Sequence, residues 1–155
     1  MTTSDQDRVF MELALEQARA ARDMEEVPIG AVVVRDGEVI ASAHNRREVD
    51  ASPSAHAEFL AINQAAEILG RWRLSDCTVY VTLEPCLMCA GLMYQARIAR
   101  CVYGASDPKA GALGTLYSLH EDSRLNHNFA VESGVCQDEC AEILSTFFGR
   151  LRNNS

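Results

Sequence analysis

Thr78-Val79-Tyr80-Val81-Thr82-Leu83-Glu84-Pro85-Cys86-Leu87-Met88-Cys89 passes from an apolar, β-branched run through a proline into helix-forming residues. The pattern predicts a strand over 78–82 and a short helix over 86–96. β-branched and aromatic side chains suit a pleated surface, and proline is tolerated in a helix's first turn. Working outward, residues 55–69 read as a helix stopped by Gly70, behind a polar loop over 45–54 that contains Pro53. Before that loop, Pro28 opens an apolar run over 29–34. Arg35-Asp36-Gly37 supplies a turn and residues 38–43 run back, which reads as a hairpin. Apolar residues at Val9, Phe10, Leu13, Ala14, Ala18 and Ala21 give residues 5–22 a helical period, with Ser4 or Asp5 as the cap. Downstream, residues 101–103 form a short strand. A long Gly-punctuated segment over 106–128 follows, with one helical turn around Leu116, then a last strand over 129–132 and a closing helix over 139–151. Strands alternating with helices imply an α/β fold: a single domain over 1–155, three layers α/β/α, with a mixed sheet of about five strands.

The composition sets bounds on function. A chain of 155 residues buries a core without covalent staples. Its start has neither a basic region nor an apolar segment, and no apolar run is long enough to span a bilayer, so a cytoplasmic protein with no membrane association is expected. The six cysteines, Cys77, Cys86, Cys89, Cys101, Cys136 and Cys140, then read as thiols or ligands and not as disulfides. The formal net charge is −8. A polyanionic partner must therefore meet a local basic surface.

Two short pieces carry the chemistry. In Pro85-Cys86-Leu87-Met88-Cys89, cysteines three apart lie near one face of a helix, and the helix dipole favours their thiolates. Two thiolates neutralise a dication, and a tetrahedral zinc then needs a third ligand and, if catalytic, an open position. His44, His56, His120, His127 and the other cysteines are available; His56 is favoured because it begins its own helix and has Glu58 as companion. At an offset of two, side chains on a regular helix point roughly 200° apart. In a first turn, however, a long Glu can bend to a water beside the metal while the histidine binds the metal. A carboxylate held beside such a water is what a proton shuttle requires. Competing readings are a redox pair at Cys86 and Cys89, and a closed structural zinc site that leaves Glu58 without a role. Cys77 and Cys101 read as core thiols. Cys136 and Cys140, one helical turn apart, leave room for a second metal site. His44, His120 and His127 read as polar surface or capping residues.

His-x-Glu followed by Pro-Cys-x-x-Cys matches a known signature of zinc nucleobase deaminases. The chain resembles the cytidine-deaminase-like superfamily and, within it, the bacterial tRNA-specific adenosine deaminases. The resemblance covers nearly the whole length: Glu26-Val27-Pro28-Ile29-Gly30-Ala31-Val32, Asn45-Arg46, Val81 to Cys86, Asp107 to Ala112, Leu125-Asn126-His127, Ser133-Gly134-Val135, and Glu139-Cys140 leading to Phe147-Phe148. It implies a cytidine-deaminase-like fold and a homodimer with one Zn2+ per subunit, held by His56, Cys86 and Cys89. Glu58 would serve as catalytic acid and base, turning adenosine into inosine at the wobble position of a tRNA anticodon stem-loop. By the same match Asn45, Val27, Ile29, Ala57 and Asp107 are the substrate-binding residues. Two departures reduce the positive charge open to phosphates: Ser106 stands where some members carry a basic residue, and no long basic tail follows Arg150 and Arg152. The rival functions are deamination of a free base or nucleoside such as guanine, cytosine or cytidine, and a non-catalytic subunit. Glu58 speaks against the latter.

Overall fold

The computed structural model describes residues 2–154, and a capping box opens it. Thr2 accepts the Asp5 backbone N–H through its hydroxyl and donates its own N–H to the Asp5 carboxylate. The first helix, α1 (Thr3–Asp23), therefore begins earlier than expected, with Asp5 in the third helical position and not at the cap. Two strands follow, β1 (Gly30–Arg35) and β2 (Glu38–His44), then α2 (Ala57–Leu69), β3 (Cys77–Leu83), α3 (Leu87–Ala96), β4 (Arg100–Ala105), β5 (Ala130–Glu132) and α4 (Gln137–Asn153). The expected helical turn falls at Leu119–Glu121 and not around Leu116. The Leu116 and Tyr117 N–H groups both donate to the Gly111 carbonyl, which folds that stretch back on itself.

The sheet order is β2-β1-β3-β4-β5. β1 pairs antiparallel with both β2 and β3, while β3, β4 and β5 run parallel. Because side chains alternate across a sheet, the apolar runs supply two cores. Ala31, Val33, Val79, Val81, Cys101 and Tyr103 pack beneath α2 and α3. Val32, Val34, Tyr80 and Val102 pack with Met11, Ala14 and Leu15 of α1 and Cys140 of α4. This is the three-layer α/β/α architecture, with helices on both faces. Gly30 sets the seat of α1: a Cβ there would lie 2.0 Å from the Ala14 carbonyl oxygen. On the same face Asp7, buried, accepts hydrogen bonds from Tyr80 and from Nη1 and Nη2 of Arg100, tying α1 to β3 and β4.

Candidate functional site

The sheet's topology brings six chain segments to one edge. The parallel strands β3 and β4 end there at Leu83 and Ala105, β2 ends there at His44 opposite Gly30 at the start of β1, and α2 and α3 begin there. Ligand sites in open α/β sheets sit beyond such carboxyl ends. At this edge lies a cavity of about 310 Å3 lined by Val27, Ile29, Asn45, Arg47, His56, Glu58, Leu83, Glu84, Cys86, Asp107, Ala110 and Phe148. A larger groove of about 910 Å3 opens beside it and shares Val27, Leu83, Asp107 and Phe148.

His56 and Cys86 are both N-cap residues, with extended backbone at φ −79°, ψ 149° and φ −78°, ψ 178°. Neither sits inside its helix's first turn, as the sequence suggested. The difference explains the pairing of His56 with Glu58: at a cap the backbone is outside the helical register, so the 200° separation does not apply. The His56 Nδ1 lies 3.7 Å from the Cys86 Sγ and 3.5 Å from the Cys89 Sγ. All three donor atoms lie within 4.8 Å of one another. A tetrahedral ion with Zn–S of about 2.3 Å and Zn–N of about 2.0 Å has an N···S edge of about 3.5 Å. The donor set therefore fits one such ion.

Of the three donors, only Cys86 is already held in the deprotonated form that a metal requires. The Cys86 thiol is pushed down to about 4, chiefly by the hydrogen bond from Cys89, with His56 adding to it and burial opposing. Cys89 is pushed up by the same bond and by burial. His56 is raised by its contact with Cys86, against burial. Burial raises Glu58 to about 7, although His56 nearby favours its charged form. With a relative exposure of 4%, Glu58 is a nearly sequestered carboxylate that still reaches the cavity wall.

Of the expected substrate-binding residues, Asn45, Val27, Ile29 and Asp107 line the cavity. Ala57 has no exposed surface and belongs to the core under α2. Asn45 is fixed at both ends of its amide, donating to the Val27 carbonyl and accepting the Arg47 N–H. Asp107 accepts the N–H groups of Lys109 and Ala110. Cys77 and Cys101 are buried thiols whose protonated forms burial favours. Cys136 and Cys140 do not converge: Cys140 packs fully buried against Gly104, and Cys136 faces Glu12. His127 donates through Nε2 to the Ile98 carbonyl and stacks on Phe129, so it supports β4 and β5 away from the cavity.

Sequence reasoning missed two buried glutamates that shape the rim. Glu84 accepts the N–H groups of Asp107, Leu113 and Thr115, and the Thr115 hydroxyl. Glu26 accepts those of Glu48 and Val49. Each carboxylate thus holds one of the two loops that border the cavity. The available signals were an acidic residue at the end of an apolar strand, and Gly111, where a Cβ would lie 2.3 Å from the Glu84 carboxyl carbon. Phe148 on the cavity wall was also missed.

Residues 4–152 match the MafB19-like deaminase family. A tRNA-specific adenosine deaminase of Bacillus subtilis (strain 168) is 50% identical over 147 residues, which is 95% of this chain and 91% of the relative. A solved structure from a study of A-to-I editing by tRNA:A34 deaminases at the wobble position superposes with a TM-score of 0.84. It is 49% identical, over 87% of this chain and 98% of that one. A guanine deaminase structure from Bacillus subtilis superposes less fully, with a TM-score of 0.64 at 35% identity over 74% of this chain and 71% of that one. The chain belongs to the MafB19-like deaminases and, within that fold, to the family of tRNA-specific adenosine deaminases.

Proposed function

We propose that the protein hydrolyses adenosine to inosine at the wobble position of a tRNA anticodon, with His56, Cys86 and Cys89 holding one zinc ion per subunit. The observation that carries this reading is the donor triangle with Glu58 buried beside it in one base-sized cavity. Zinc, when bound, lowers the pKa of its water from about 15.7 toward about 7 and so supplies hydroxide at neutral pH.

Glu58 takes the first proton of the attacking water and hands it to N1 of adenine, which makes C6 more electrophilic. Oxygen adds to C6. Glu58 then moves the second proton from that oxygen to the amino group, the C–N bond breaks, and ammonia leaves with inosine as product. Burial serves this role, since a carboxylate raised toward neutrality exchanges protons in both directions at working pH. Asn45, already clamped by Val27 and Arg47, keeps a spare N–H and lone pair for the base. Val27 and Ile29 form the apolar wall, and Asp107 stands at the rim. Ala57, with no exposed surface, packs in the core behind that wall.

An anticodon loop presents unpaired bases, so the cost of extruding one is lower than in a duplex. We also propose a homodimer. The α2 and α3 side of the molecule leaves Ile68, Trp72, Leu87 and Met88 exposed, and apolar surface of that kind suits a second copy. Among the described residues no helix is long and apolar enough to cross a membrane, and a cytoplasmic site of action follows from the proposed substrate. Incubating zinc-loaded protein with a panel of tRNAs and reading inosine by sequencing tests the function. Ammonia release from free guanine or cytidine without inosine in any tRNA would replace it with the free-base reading.

A further inference from the structure

Two adjacent arginines follow Asn45, and they differ in their partners. Arg46 is committed: its Nε and Nη2 bind the two carboxylate oxygens of Asp50 at 3.0 and 3.1 Å. Arg47 is exposed, lines the cavity, and has neither a carboxylate partner nor a side-chain hydrogen bond among the described residues. Among the described residues it is also the only lysine or arginine on the cavity wall, where the acidic groups are Glu58, Glu84 and Asp107.

Its backbone is held on both sides. The Arg47 N–H donates to the Asn45 side chain at 3.1 Å, and the next two N–H groups donate to buried Glu26. A free guanidinium is thus presented from a fixed stretch of main chain, beside the residue proposed to hold the base. A chain with a net charge of −8 needs such a local cation to accept a polyanion, and several other basic groups near the sheet are neutralised. Arg100 is bound by Asp7, and Arg35 and Arg71 by Asp76.

We propose that Arg47 binds a backbone phosphate adjacent to the target nucleotide, so that the cavity accepts a base carried on a strand in preference to a free nucleoside. The assignment rests on the adenosine deaminase reading and names the group that selects its polymeric substrate. A guanidinium matches phosphate through paired N–H donors. Removing one such contact weakens binding, leaves the chemical step alone, and flattens the salt dependence by about 0.7 in log–log slope for a single strand.

The test uses zinc-loaded protein and an anticodon stem-loop RNA, with inosine formation measured across a series of salt concentrations. Arg47→Ala should raise KM about tenfold, leave kcat within about twofold, and lower the slope of log kcat/KM against log salt by about 0.7. Arg47→Lys should restore most of the slope. Arg46→Ala, whose charge Asp50 already neutralises, should leave the slope unchanged. An unchanged slope in Arg47→Ala, a loss confined to kcat, or an equal loss of slope in Arg46→Ala would overturn the assignment. If the wild-type protein makes no inosine at all, the failure lies with the function and not with Arg47.

Discussion

Glu58 and Glu84 are buried to almost the same degree beside one cavity, yet they are engaged in different ways. Glu84 receives three backbone N–H groups and a hydroxyl, all from residues 107–115, so its lone pairs are filled by architecture. Glu58 has no such set of main-chain donors from another segment. Its neighbours are the Cys89 thiol and His56, and burial drives it toward the neutral form. A carboxylate surrounded by N–H donors is held still; one buried with few donors keeps its proton within reach of a substrate. The lesson is that burial alone does not mark a catalytic acid. What the burial is exchanged for does.

That contrast can be broken in several places. The largest effect should come from Cys86→Ala, which removes one corner of the donor triangle. Metal content by elemental analysis should fall to a small fraction of one ion per subunit, with inosine formation lost; full zinc occupancy would contradict the ligand assignment. Next comes Glu58→Ala, for which single-turnover assays should show a fall of about 10³-fold, within the range for general acid–base catalysis. Zinc content should be unchanged, and a near-normal rate would remove the proposed mechanism.

Glu84→Gln should behave in the opposite manner. It puts an amide where a loop's N–H groups expect an acceptor, which should cost about 2–4 kcal/mol in urea unfolding. The defect in activity should appear in KM more than in kcat, since the loop and not the proton transfer is disturbed. If Glu84→Gln instead mimicked Glu58→Ala at full stability, the division of labour drawn here would fail. The smallest effect should come from Asp7→Asn. Burial pushes the Asp7 carboxyl up, but its bonds to Arg100 and Tyr80 outweigh that and hold it below its ordinary value. A depressed carboxyl contributes stability that is fully present above its unfolded pKa of about 3.9 and is lost as pH falls through the lower folded value. Asp7→Asn should therefore lower stability at neutral pH and flatten the acid limb below about pH 4 in the same unfolding assay.

The sequence made some parts of this molecule legible and hid others for identifiable reasons. The strands of the central sheet were readable because both faces are buried, which leaves continuous runs such as Ala31-Val32-Val33-Val34. The donor triangle was readable because its members stand beside local helix starts, although their position at the caps was not. The residues 106–128 were not readable. Their organiser, Glu84, lies more than twenty positions upstream, and no local periodicity reports a carboxylate reaching across that distance. Arg47 was hidden likewise, since only coordinates show that Arg46 is neutralised and its neighbour is not.

Glu84 also immediately precedes Pro85 and Cys86, so the rim of the cavity and one corner of the triangle hang from the same strand exit. This bears on redesign toward another nucleobase. Exposed side chains along 107–115 can be exchanged while the glycine at 111, the buried Ala112 and Leu113, the Thr115 hydroxyl and the main-chain donors are kept, because what Glu84 grips there is chiefly backbone. A graft that brought its own loop geometry without those donors would misplace more than the rim. It would strand a buried carboxyl group beside the proline that leads into Cys86, and so disturb one corner of the donor triangle along with the rim.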